Sequence, residues 1–232
     1  MPSSYSIASS AKVIEEYFNV EVTGKYEQKY NASPTKLLPV ITAENPDGLS
    51  FFYWGINPAF VKKNSVSEKL IFAPVDEILN KASLKKNLKS QRCVIIADGF
   101  YAWKNISKKE KVPYRFHLAD KSPFGIAGLW DEFEDDNGES VHTFMMITTK
   151  ANPDVADITD QMPAILDSDL MIDWLNESNT EESVISFITP YREKSLDRYS
   201  ITPKINDPDF DSPELFKKAP PANQFGSFTL FG

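Results

Sequence analysis

The chain has 232 residues, 41% of them hydrophobic and 25% charged, with a formal net charge of −8. That mix suffices for a sizeable core without metals or staples, and the single cysteine, Cys93, excludes an internal disulfide. The acidic balance excludes attachment to nucleic acid through bulk charge. It leaves two local basic runs, Lys85, Lys86, Lys89 and Arg92, then Lys104, Lys108, Lys109 and Lys111, whose plainest meaning is a solvated helix face and a solvated hairpin tip. The start, Met1-Pro2-Ser3-Ser4-Tyr5, lacks a basic segment followed by an apolar run, so no signal peptide is expected. No apolar run approaches the roughly 18 residues of a membrane span. A soluble, cytoplasmic protein is the expectation.

Val13, Ile14, Tyr17 and Phe18 fall at helical spacing and predict a short amphipathic helix over 11–18, with Ser9 or Ser10 as its cap. Residues 37–42 and 49–54 pattern as strands around Asn45-Pro46-Asp47-Gly48, a turn signal. A surface helix is expected over 78–90. Strand patterns then dominate: 93–97, 114–118, 124–130 and 143–149, with a polar hairpin tip at 134–139. Residues 170–175 and 181–187 pattern as helices. Residues 207–232, rich in proline and polar side chains, suggest an irregular tail, wrapped on the surface or partly mobile. Many strands and few helices make this an α+β chain. No break in composition divides it, so a single domain over 1–232 is expected.

The residues offer little standard chemistry. Two histidines, His117 and His142, and one cysteine without paired spacing give no zinc site, and no cofactor is expected either. Glycine-rich phosphate loops and the Gly-x-Ser-x-Gly elbow are absent. Cys93 lies in an apolar strand pattern, where a thiol is normally inert core. What stands out are aromatic phrases: Trp54-Gly55-Ile56-Asn57-Pro58-Ala59-Phe60, Gly99-Phe100-Tyr101-Ala102-Trp103 and Gln161-Met162-Pro163-Ala164. Each alone fits a hydrophobic core. On loops, such rings stack on unpaired bases.

Taken in order, these phrases resemble the SOS-response-associated peptidase (SRAP) family. The resemblance also rests on Tyr30-Asn31-Ala32-Ser33-Pro34, on Arg92 to Trp103, on Ala127-Gly128-Leu129-Trp130, on Ile147 to Asn152 and on Asp157 to Leu166. It covers nearly the whole chain and implies a mainly antiparallel, barrel-like β core with flanking helices. It also implies an N-terminal cysteine that captures the aldehyde of an abasic sugar in single-stranded DNA as a thiazolidine, supported by an asparagine, a glutamate and a histidine. Carried over by position, the nucleophile is Pro2, the asparagine is Phe72, the glutamate is Ala102 and the histidine is Thr159. Two arginines become Pro74 and Gln161. Alanine carries no carboxylate for acid–base work, and threonine does not titrate near neutrality.

Three classes of function fit this pattern. One is a catalytically silent module that binds single-stranded or abasic DNA weakly through Trp54, Phe60, Trp103, Gln161, Met162 and Pro163. Another is an enzyme with altered covalent chemistry at the Pro2 amine. The third is a protein-interaction scaffold that has lost DNA, which the charge and the missing arginines favour. Trp54, Phe72, Trp103 and Thr159 are expected to gather around one shallow cleft.

Overall fold

The computed structural model describes residues 4–58, 68–135, 137–192 and 194–229. Strand β1 (Ser4–Ile7) is buried at all four positions. Helix α1 (Ala11–Phe18) follows, as its spacing predicts. The Ser10 hydroxyl accepts from the Val13 amide at 3.4 Å, and Asn19 ends the helix in the left-handed region at φ 54°, where asparagine is tolerated. Next come β2 (Lys29–Ala32), β3 (Leu37–Thr42) and β4 (Asn45–Trp54).

The reversal between β3 and β4 falls at residues 43–44, not at Asn45–Gly48. Thr42 and Asn45 already pair, and the Asn45 amide donates to the Thr42 hydroxyl at 3.2 Å. The Asp47 carbonyl accepts from the Glu21 amide at 2.7 Å. That bond draws the predicted turn residues into extended structure.

Short elements α2 (Glu68–Ile71), β5 (Phe72–Pro74) and α3 (Val75–Ile78) precede α4 (Ala82–Ser90). The expected helix over 78–90 therefore breaks after Ile78 and restarts. Its basic run also divides. Lys85 pairs with Glu181 at 3.0 Å, but Arg92 is buried and donates to the carbonyls of Trp174, Leu88, Lys89 and Asn176. Arg92 is thus a structural cation that ties α4 to the helix carrying Trp174, not part of a solvated face.

Strands β6 (Arg92–Ala97), β7 (Gly99–Asn105), β8 (Lys111–Leu118), β9 (Phe124–Glu134) and β10 (Ser140–Lys150) supply most of the sheet. They are followed by β11 (Gln161–Pro163), β12 (Ile165–Leu166), α5 (Leu170–Leu175), α6 (Glu181–Phe187) and β13 (Leu196–Ser200).

The pairings close a ring: β10 to β4, β4 to β3, β3 to β6, β6 to β9 and β9 back to β10. This is a five-stranded barrel, antiparallel except for the parallel β4–β10 contact. It needs close strand approach at Gly125 and Gly128, where an added Cβ would lie 2.6 Å from Val94 Cγ1 and 2.8 Å from Cys93 Sγ. A second, antiparallel sheet runs β13-β8-β7-β1-β2, with β1 in its interior. Tyr5 of β1 meets Trp54 of the barrel edge-on at 5.3 Å, and the inner faces of both sheets share one apolar core.

The first part of the tail is tied to the body of the fold. The Asp211 carboxylate accepts from the amides of Tyr30 and Asn31 at 2.6 and 3.0 Å. Leu215, in a single 3-10 turn (Pro213–Phe216), is fully buried against Tyr101, Ile201 and Ile205. No helix among the described residues is long and apolar enough to cross a membrane.

Candidate nucleic-acid cleft

A cleft of about 910 Å³ opens where the start of β1, the end of β2, the turn from β7 to β8, the loop before β11 and the chain after β13 converge. Ser4, the first described residue, lines it. The Ser4 hydroxyl donates to Asn31 Oδ1 and lies 3.2 Å from the Ala32 carbonyl. Asn31 in turn donates through Nδ2 to the carbonyls of Asp207 and Phe210 at 3.1 and 3.2 Å. This buried polar chain binds β1, β2 and the tail together.

Trp103 is half-buried in the cleft wall, and its indole N–H donates to Asn206 Oδ1 at 3.0 Å. Thr159 stands nearby in the same cavity, its amide bonded to the Val155 carbonyl at 3.1 Å. The loop carrying Thr159 is held from behind: Asn152 donates to the carbonyls of Tyr191 and Arg192 at 3.0 and 3.2 Å. Asp157 forms a two-pronged pair with Arg198, whose Nη2 donates at 2.8 Å. The described lining includes no thiol and no imidazole. Its charged groups are Lys111, Asp157 and Asp160.

Of the four residues expected to meet, Trp103 and Thr159 do so. Trp54 and Phe72 do not. Trp54 is wholly buried, its N–H donating to the Ile71 carbonyl at 2.9 Å, with Phe72 and Phe144 5.9 and 6.2 Å from its ring. An indole with no exposed face cannot stack on a base, so the expectation for Trp54 is corrected: this ring is core. Met162 is equally enclosed, accepting the Asn152 amide on its sulfur, and Pro163 is buried in β11 opposite Thr148. Neither presents a surface to a strand in this arrangement. Gln161 is half-buried and accepts from the Thr148 hydroxyl at 3.0 Å.

Ala102 is fully buried in β7, opposite Tyr114. Pro2 and Phe60 lie outside the described residues. The polar set of Ser4, Asn31, Asn206 and the Asp157–Arg198 pair escaped the sequence reading. The one available signal was an asparagine inside a strand-like phrase, Tyr30-Asn31-Ala32.

Cys93 is buried in β6, where loss of hydration pushes its thiol well above the usual range. Iodoacetamide at about pH 8 should alkylate it at least a hundredfold more slowly in the folded than in the unfolded protein. Intact mass over time checks this, and equal rates would mean the strand opens readily.

Residues 1–208 match the family model described as SOS response associated peptidase (SRAP). The abasic site processing protein YoqW of Bacillus subtilis is 33% identical over 218 residues, covering 92% of this chain and 97% of the relative. The rat protein, abasic site processing protein HMCES, is 29% identical over 248 residues, covering 86% of this chain and 69% of its own length. A crystal structure of a protein from Bacteroides thetaiotaomicron superposes with a TM-score of 0.78 at 26% identity, over 94% of this chain and 99% of the other. The ordered phrases, the closed barrel and these matches agree, and the chain belongs to the SRAP family.

Proposed function

We propose that the chain acts on DNA in abasic-site processing, as a soluble cytoplasmic module that holds single-stranded or abasic DNA in the cleft without a covalent step. The observation that carries this reading is the cleft itself: a half-buried tryptophan over a polar floor, with no thiol or imidazole in its described lining. The names of the relatives, abasic site processing proteins, support the substrate class. Stacking on Trp103 supplies roughly 1–3 kcal/mol per base. Few cationic contacts accompany it, so affinity is modest and falls with salt.

A shift assay with a short single strand at low salt tests this. Trp103→Ala should weaken binding roughly five- to a hundredfold, and Lys109→Ala far less. Equal effects, or no binding, would favour a scaffold that has lost DNA.

The altered-chemistry reading has one observation in its favour. Ser4, two residues along the chain from Pro2, lines the cleft. With Met1 removed, the secondary amine of Pro2 would attack an aldehyde and lose water to an iminium ion. Without a thiol the iminium cannot close to a thiazolidine and remains hydrolysable. Borohydride added to the protein with abasic single-stranded DNA would convert any iminium to a stable amine. The silent reading expects no trapped band, and a band that disappears when the N-terminal amine is acetylated would replace it with the covalent one.

A further inference from the structure

Away from the cleft, a hollow of about 450 Å³ lies where β8, β13, the segment after β1 and the middle of the tail meet. Its composition runs against that of the chain. In a protein of net charge −8, its walls carry Arg115, His117, Lys121 and Lys218, with Asp98 as the one carboxylate among the described lining residues. The charge of Asp98 is already satisfied. It accepts from the Ser6 hydroxyl at 2.7 Å, from the amides of Ala8 and Ser9 at 2.6 and 2.8 Å, and from Arg115 at 3.3 Å.

Arg115 is only partly satisfied by this network: its Nη2 donates to the Asp98 carbonyl at 3.0 Å, to Asp98 Oδ1 at 3.3 Å and to the Ser6 hydroxyl at 3.4 Å. The Arg115 guanidinium lies 3.7 Å over the Phe216 ring, which fixes its plane. Its Nε has no hydrogen-bond partner, and its Nη1 has only the Tyr199 hydroxyl at 3.5 Å. His117 is buried, and its Nδ1 lies 2.7 Å from the Leu118 carbonyl. That bond puts the proton on Nδ1 and leaves Nε2 for another group. Lys121 and Lys218 are exposed, and among the described residues neither pairs with a carboxylate. Asp197 faces His117 across the β8–β13 register but is exposed and outside the lining.

We propose that this hollow is a binding site for a phosphate group carried by a small phosphomonoester or by the end of a nucleic-acid strand. The unpartnered Nε of a rigid guanidinium and two exposed ammonium groups supply donors for a tetrahedral dianion. The volume leaves room for an organic substituent. The hollow also shares Tyr199 and Lys218 with a neighbouring recess, which shares Asp157 and Ile158 with the cleft. The three recesses are thus neighbours on the surface. Phosphate binding itself does not depend on the DNA reading.

The test uses the full chain and inorganic phosphate as probe, titrated calorimetrically against chloride of matched ionic strength. Phosphate should bind where chloride does not. The double variant Lys121→Ala/Lys218→Ala should raise the phosphate Kd at least about tenfold, with an unchanged circular dichroism spectrum, while Trp103→Ala leaves it unaltered. Equal heats for the two salts, or wild-type phosphate affinity in the double variant, would overturn the site. Competition by short strands with and without a 5′-phosphate then identifies the source. Displacement of phosphate only by the phosphorylated strand assigns a strand end, and displacement by phenyl phosphate alone assigns a small monoester.

Discussion

Replacing Asp98 by alanine should cost about 3–5 kcal/mol of folding stability, because it leaves a buried cation without its partner. The carboxylate sits 7% exposed at the junction of β6 and β7. It holds Arg115 through a 3.3 Å contact and caps the chain as it leaves β1 through the amides of Ala8 and Ser9. Alanine strips an acceptor from both amides and from the Ser6 hydroxyl, and each stranded donor adds its own desolvation cost. Asparagine keeps one acceptor oxygen and should lose less. Urea denaturation of the three proteins reads the order directly. A loss below about 1 kcal/mol for Asp98→Ala would mean that water takes over these bonds and that the site is not truly enclosed.

Trp54→Ala should be comparably severe, at about 3–5 kcal/mol for emptying an aromatic site in a close-packed core. The indole joins the two sheets. Tyr5 contacts it edge-on at 5.3 Å from β1, Phe144 lies parallel at 6.2 Å on β10, and its N–H satisfies the Ile71 carbonyl at 2.9 Å. Trp54→Phe keeps much of the ring but strands that carbonyl, so an intermediate loss is expected. Trp103→Ala, on the cleft wall, should stay near 1 kcal/mol. The two tryptophans should therefore separate in opposite directions: Trp54→Ala lowers the melting midpoint, whereas Trp103→Ala lowers DNA affinity in a protein of near-normal stability. Loss of binding by folded Trp54→Ala protein would restore a surface role to that ring.

This contrast shows what the sequence conveyed and where it stopped. Helical spacing located α1, and continuous apolar runs located β6, β9 and β10, which are buried over most of their length. Such patterns did not reveal β1, β2, β5 or β13. These are short strands whose identity depends on distant partners, such as Ser4 with Tyr101 or Leu196 with Leu118. Aromatic phrases pointed to the right neighbourhood, but phrase membership carries no information about which face a residue takes. Trp103 lies near the end of β7 and reaches the cleft, while Trp54 ends β4 inside the core. The phosphate-sized hollow was invisible for a related reason. Its cations, Arg115, Lys121 and Lys218, are scattered over a hundred residues and are brought together only by β8 and the returning tail.

The ring of strands also orders events in time. Its last closure joins β10 to β4, with Thr143 opposite Tyr53 and Phe144 opposite Trp54. Roughly ninety residues of chain must therefore be looped out before that contact forms, an entropic cost that slows folding. As the chain leaves the ribosome, β3 and β4 emerge long before β10, and the far side of β4 waits without a partner. During that interval it is an unprotected apolar strand edge, the kind that pairs with the wrong neighbour. Once β10 arrives β4 has its partner, so the exposure of this particular edge is confined to the nascent chain.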